Sequence, residues 1–148
     1  MVFYTKNSKE TVKVGEKIAN LLRYGDIVSF SGELGSGKTT MIKGIVFFLT
    51  GKIATSPTFV ILNEYNGKIP VFHFDLYRIE HIEELSSFGW EEYLGKGIIL
   101  VEWAERIKNL LPLTTILINI EYINEKRKIS ISGLEERVSS KKNNHNLT

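Results

Sequence analysis

The chain of 148 residues contains no cysteine. Disulfides and thiolate-held metals are therefore excluded, and cysteine chemistry gives no help in fixing a compartment. Only three prolines occur, and no repeat or collagen-like period is present, which excludes fibrous and solenoid classes. Long apolar runs are also missing. The longest, at 97–101 and 115–120, have the length of strands and fall well short of the roughly eighteen residues of a membrane span. The first residues, Met1-Val2-Phe3-Tyr4-Thr5-Lys6, lack the apolar stretch of a signal peptide. A soluble, cytoplasmic protein with no membrane association is expected. The excess of positive charge is small, +2, and does not by itself point to nucleic acid. Histidine is limited to three residues; none shares metal-ligand spacing with a carboxylate, so no zinc site is expected.

The residues present are those of a globular protein: 43% hydrophobic and 24% charged, with a length that suits one domain with its own core. The most informative stretch is Gly32-Glu33-Leu34-Gly35-Ser36-Gly37-Lys38-Thr39-Thr40. It follows the apolar run Ile27-Val28-Ser29-Phe30 and precedes a helical pattern, so it reads as strand, glycine loop, helix. Gly32, Gly37, Lys38 and Thr39 fit G-x-x-x-x-G-K-[ST]. Backbone N–H groups of the loop would wrap a phosphate chain, aided by the positive helix end. Lys38 would reach the outer phosphates, and the Thr39 hydroxyl would ligate Mg²⁺.

Around this loop the chain reads as an α/β domain. A short strand at 2–4 leads to a helix over 11–24, with Val14, Ile18, Leu21 and Leu22 on one face and Ser8 or Thr11 as its cap. The helix after the loop ends at Gly51. Gly44 inside it costs about 1 kcal/mol against alanine, for which close packing on the sheet is one reason. Strands at 59–65 and 70–77 flank Asn66-Gly67, a hairpin signal, so this part of the sheet is expected to be antiparallel. Residues 79–94 read as two acidic helices divided by Gly89. The continuous apolar run Ile98-Ile99-Leu100-Val101 has the character of a strand buried on both faces. A short helix over 104–111 follows. Strands at 115–123 and 128–132 come next, with Lys126, Arg127 and Lys128 at the hairpin tip. The domain is expected to span 1–134, and residues 135–148 lose apolar content and read as a disordered tail.

Ligands of open α/β sheets sit beyond the carboxyl ends of strands, where two acids occur. Glu102 follows the buried run and is the better candidate for the Mg²⁺ carboxylate. Asp75 follows Val71-Phe72-His73-Phe74 and is a candidate for positioning metal or water. Either acid would otherwise cap the next turn. Ser56-Pro57-Thr58 either senses a γ-phosphate or merely connects two elements. His73 reads as a satisfied strand residue in preference to a catalytic one. Trp103 is either core or nucleotide-facing. Lys141 and Lys142 read as solvated.

In their order, the glycine loop, Ser56-Pro57-Thr58-Phe59, Asn63-Glu64-Tyr65, His73-Phe74-Asp75-Leu76-Tyr77-Arg78, Glu83-Glu84-Leu85 and Leu100-Val101-Glu102-Trp103 resemble the bacterial TsaE family (formerly YjeE). The resemblance spans about residues 10–112. It implies a single P-loop NTPase-like domain with a mixed, partly antiparallel central sheet and flanking helices. It also implies an ATPase of tRNA threonylcarbamoyladenosine biosynthesis, weak alone, that uses ATP and Mg²⁺ to drive or reset a TsaB–TsaD complex. Contact with tRNA would be indirect, through that complex. By the same resemblance Lys38, Asp75 and Glu102 would serve hydrolysis, and Thr39 and Glu102 would hold the metal. Residues 34–40, Trp103 and Ser8 would lie at the nucleotide, with Ser8 the weakest match. Glu33 departs from the aspartate common in relatives, but a backbone cradle does not need it. No arginine finger is evident; Arg78 and Arg106 are candidates, or a partner supplies one. Two other readings stay open: a small P-loop metabolite or nucleoside kinase, which the scattered arginines and missing lid disfavour, and a nucleotide switch without hydrolysis. Absence of an N-K-x-D run favours ATP over GTP.

Overall fold

A computed structural model describes residues 1–33, 35–55 and 61–146. The element order is β1 (Val2–Thr5), α1 (Ser8–Ala19), β2 (Ile27–Ser31), α2 (Lys38–Thr50), β3 (Leu62–Tyr65), β4 (Val71–Asp75), α3 (Ile82–Phe88), β5 (Ile98–Glu102), β6 (Ile116–Ile123), β7 (Lys126–Ser132) and α4 (Glu135–Asn146). Two 3₁₀ segments, Trp90–Tyr93 and Ala104–Leu110, lie on either side of β5. The seven strands form one mixed sheet in the order β1-β7-β6-β2-β5-β4-β3. The four central strands, β6, β2, β5 and β4, run parallel, and antiparallel pairs extend both edges. This is the mixed, partly antiparallel sheet that the sequence implied.

Alternation along the strands builds two cores. Val28, Phe30, Ile98, Leu100, Ile118, Ile120, Ile129 and Ile131 bury one face beneath α1 and α2. Phe72, Phe74, Ile99 and Val101 face the other way, against Leu85, Trp90 and Ile107. All five residues of β5 are buried, as its unbroken apolar run predicts.

Several local expectations are corrected. The cap of α1 is Asn7, whose Oδ1 accepts the Glu10 N–H at 2.9 Å, so the helix starts earlier than its apolar spacing implies. Gly44 packs on α1, not on the sheet. A Cβ there would meet the Val12 carbonyl, and one on Gly15 would lie 2.5 Å from the Met41 carbonyl. The β6–β7 tip is Asn124-Glu125, both at positive φ, as a tight primed hairpin turn requires. Lys126, Arg127 and Lys128 lie on β7 itself. Residues 135–146 form helix α4. The Arg137 guanidinium makes a two-bonded contact with Asp26, at 2.6 and 2.9 Å, and also donates to the Leu21 carbonyl. Charge pairing anchors a segment whose low apolar content alone points to disorder.

Candidate functional site

Strand β2 delivers the glycine loop to the carboxyl edge of the parallel strands. Gly37 turns at φ 114° into α2, a conformation that disfavours any side chain. A Cβ on Gly32 would meet the Ile120 carbonyl, so the loop also rests against β6. Neither a capping side chain nor a first-turn acid occupies the start of α2. Its leading N–H groups are therefore available to an anion. Leu34 and Ser56-Pro57-Thr58, with Phe59, lie outside the described residues.

Beside the loop, β4 and β5 bring the two acids together, since Asp75 and Glu102 are register partners. The Thr39 hydroxyl donates to Glu102 Oε1 at 3.2 Å. Glu102 Oε2 meets His73 Nε2 at 2.8 Å, and both side chains are buried. His73, Asp75 and Glu102 share the face of β4 and β5 that looks toward α2, because Phe72, Phe74 and Val101 take the other. Burial raises the Asp75 carboxyl above its ordinary range, opposed by the Tyr77 N–H that it accepts and reinforced by Glu102.

The Lys38 ammonium donates to the Gly32 carbonyl at 2.5 Å and lies 3.7 Å from the Trp103 ring centre. Burial lowers the pKa of Lys38, while Glu102, Glu105 and Asp75 pull it upward. Trp103 follows β5 in a left-handed conformation, φ 59°, and its ring lies 5.0 Å from that of Tyr77. A cavity of about 240 Å³ is lined by Gly37, Lys38, Thr39, Asp75, Glu102 and Arg127, among others. A second, of about 850 Å³, opens between the loop, Trp103 and the end of β6, with Ser36, Asn119 and Tyr122 in its wall. That volume is within the roughly 300–1,000 Å³ of small-molecule sites.

Lys38, Thr39, Thr40, Asp75, Glu102 and Trp103 thus gather with Gly35 and Gly37. Ser36 lines the larger cavity. Ser8 is exposed at the start of α1 and lines neither cavity. Neither Arg78 nor Arg106 lines them, and Arg106 donates to the Ile79 carbonyl. The arginine that does reach the loop is Arg127. Among the described residues its buried Nε has no hydrogen-bond partner, and it would lie 3.0 Å from a Cβ on Gly37. Sequence reading placed it at a hairpin tip. The signal that finds it is strand alternation: Arg127, Ile129 and Ile131 share one face, and the two isoleucines are core.

For a divalent cation, the fit is of one kind only. Among the described residues no group of three or more His, Cys, Asp and Glu side chains could hold a metal. The hydroxyl and carboxylate of Thr39 and Glu102, both oxygen donors, suit Mg²⁺. That ion commonly takes one or two protein ligands and completes its shell with phosphate and water.

A glycine loop opening a helix from a central parallel strand, with carboxylates at the ends of β5 beside it and of β4 beyond, defines a P-loop α/β domain of the nucleotide-binding class. A family model described as threonylcarbamoyl adenosine biosynthesis protein TsaE matches residues 5–129. The chain belongs to the TsaE family. Among its relatives, the tRNA threonylcarbamoyladenosine biosynthesis protein TsaE of Bacillus subtilis (strain 168) is 38% identical over 137 residues, 90% of this chain and 85% of the relative. That of Rickettsia prowazekii (strain Madrid E) is 41% identical over 133 residues, 86% and 92% of the two chains. The crystal structure of YdiB from Bacillus subtilis matches with a TM-score of 0.76 at 32% identity, over 95% of this chain and 92% of that one. Among the described residues, no helix is long and apolar enough to cross a membrane.

Proposed function

We infer that the chain binds ATP with Mg²⁺ and hydrolyses it as the ATPase subunit of tRNA threonylcarbamoyladenosine biosynthesis. It would act on a TsaB–TsaD complex in the cytoplasm and touch tRNA only through that complex. The observation that carries the reading is the 3.2 Å contact between Thr39 of the phosphate loop and Glu102 at the end of β5. It joins the loop hydroxyl to a strand-end carboxylate, the pair that P-loop NTPases use to hold Mg²⁺.

The backbone of the loop and the start of α2 would hold the phosphates. Lys38 would exchange the Gly32 carbonyl for a phosphate oxygen, and Arg127 would add a second cation from the same chain. Thr39 and Glu102 would hold Mg²⁺, which would supply neutralisation of charge on the phosphate oxygens. Asp75, its carboxyl raised by burial, would orient the attacking water and accept its proton. The larger cavity beside Trp103 and β6 would take the nucleoside. Among the described residues no arginine-bearing lid closes this site, which favours slow turnover governed by partners over phosphoryl transfer to a small acceptor.

The deciding experiment is single-turnover hydrolysis of ATP by the full chain with Mg²⁺, alone and with TsaB and TsaD. Hydrolysis accelerated by the partners is expected. A background rate in both mixtures, with nucleotide bound, would leave a switch and overturn the ATPase.

A further inference from the structure

The geometry points to His73 as a positioning residue that aims the Glu102 carboxylate at the phosphate loop. The inference rests on the reading of Glu102 as the carboxylate for Mg²⁺. Glu102 uses its two oxygens differently: Oε1 accepts the Thr39 hydroxyl at 3.2 Å, and Oε2 meets His73 Nε2 at 2.8 Å. A carboxylate free to rotate about its last bond would present either oxygen to the loop. Tied at Oε2 to an imidazole with no exposed surface, it presents only Oε1.

The tautomer follows from burial. His73 Nδ1 is buried and has no hydrogen-bond partner among the described residues. A proton on Nδ1 would strand an N–H donor in the core, which costs more than an unmet lone pair. The ring therefore carries its proton on Nε2 and donates to Glu102 Oε2. The ring itself is fixed by its place on β4, opposite Leu100 of β5 and two pairing steps before Asp75 and Glu102, on the same face of the sheet. A hydrogen-bonded partner behind a metal-ligating group holds its orientation and commonly changes metal affinity about ten- to a hundredfold when lost.

The test compares His73→Gln with His73→Asn in the full chain. Glutamine places an amide nitrogen as many bonds from Cβ as Nε2, so it can still donate to Glu102. Asparagine places its nitrogen where Nδ1 stands and cannot reach. Binding of ADP is titrated in EDTA and then against Mg²⁺, with Glu102→Ala as control and thermal melts for each variant. For His73→Asn the Mg²⁺ concentration at half-effect should rise about tenfold or more, with affinity in EDTA unchanged. His73→Gln should stay within about threefold of the parent, on the same scale. Equal Mg²⁺ dependence in the two variants, or equal loss with and without Mg²⁺, overturns the positioning role. An unvaried chain indifferent to Mg²⁺ overturns the underlying reading of Glu102 first. Nitrogen-15 spectra of the imidazole give a readout free of nucleotide: a proton on Nε2 is expected, and a proton on Nδ1 alone would overturn the assignment.

Discussion

The Lys38 ammonium lies 3.7 Å from the centre of the Trp103 ring while donating to the Gly32 carbonyl. The cation that should serve the phosphates therefore rests on its own loop and on an indole face. A cation over an aromatic face is worth about 0.5–2 kcal/mol, too little to compete with a charged phosphate. Nucleotide should draw Lys38 away and change the surroundings of the ring. Addition of Mg-ADP is expected to change Trp103 emission, read in a Trp90→Phe background because Trp90 is a buried core residue. In Lys38→Ala the change should be lost together with nucleotide binding. An unaltered spectrum at saturating nucleotide would separate Trp103 from the site.

Arg127 is expected to contribute to nucleotide affinity and not to stability. A hydrogen bond to a charged partner is worth about 1.5–3 kcal/mol, so Arg127→Ala should weaken Mg-ATP binding roughly ten- to a hundredfold. Its buried Nε has no hydrogen-bond partner among the described residues, so the melting temperature should hold or rise. A fall in stability with intact affinity would make Arg127 a structural residue.

Asp75 should set stability against function. Its folded pKa is raised, mainly by burial, so between the unfolded value, about 4, and the raised one the native state binds more protons. Stability contributed by this group is then present at low pH and lost as pH rises through the folded pKa. Asp75→Asn keeps an acceptor for the Tyr77 N–H and removes the charge. The variant should melt higher than the parent at pH 7, by a margin that shrinks toward pH 3, and hydrolyse ATP more slowly. For a chain of this size about 1 kcal/mol corresponds to roughly 2–4 °C or slightly more. A margin independent of pH would remove the charge from the explanation.

Gly44→Ala tests the contact between α1 and α2. Intrinsic propensity favours alanine by about 1 kcal/mol. Against that, the new Cβ would meet the Val12 backbone carbonyl, and overpacking of this kind costs about 1–3 kcal/mol. Net destabilisation is expected in a denaturant melt. A more stable variant would show that the two helices part without cost.

The loop, its strand and its helix were legible because glycine, lysine and threonine at fixed offsets have few other uses. Strand β5 was legible because burial on both faces leaves no polar residue in Ile98-Ile99-Leu100-Val101. What escaped depends on pairing across long stretches of chain. Arg127 reads as a solvated cation until β7 is set against β6 and β1. His73 reads as a satisfied strand residue until β4 lies beside β5, when its ring turns out to meet Glu102. The helix over 135–146 escaped because its contacts are distant in sequence, among them the ion pair between Arg137 and Asp26, separated by more than a hundred positions.

Strand alternation places Arg127 on the same face as Ile129 and Ile131, opposite Tyr122 of β6 and Thr5 of β1. A slip of one residue in that pairing would keep every ladder bond available but turn Arg127 outward and the two isoleucines with it. Misregistered chains would thus lose a core layer and the arginine beside the glycine loop in the same event. The isoleucines act as a proofreader: a molecule compact enough to survive has, by that fact, already delivered its arginine to the loop.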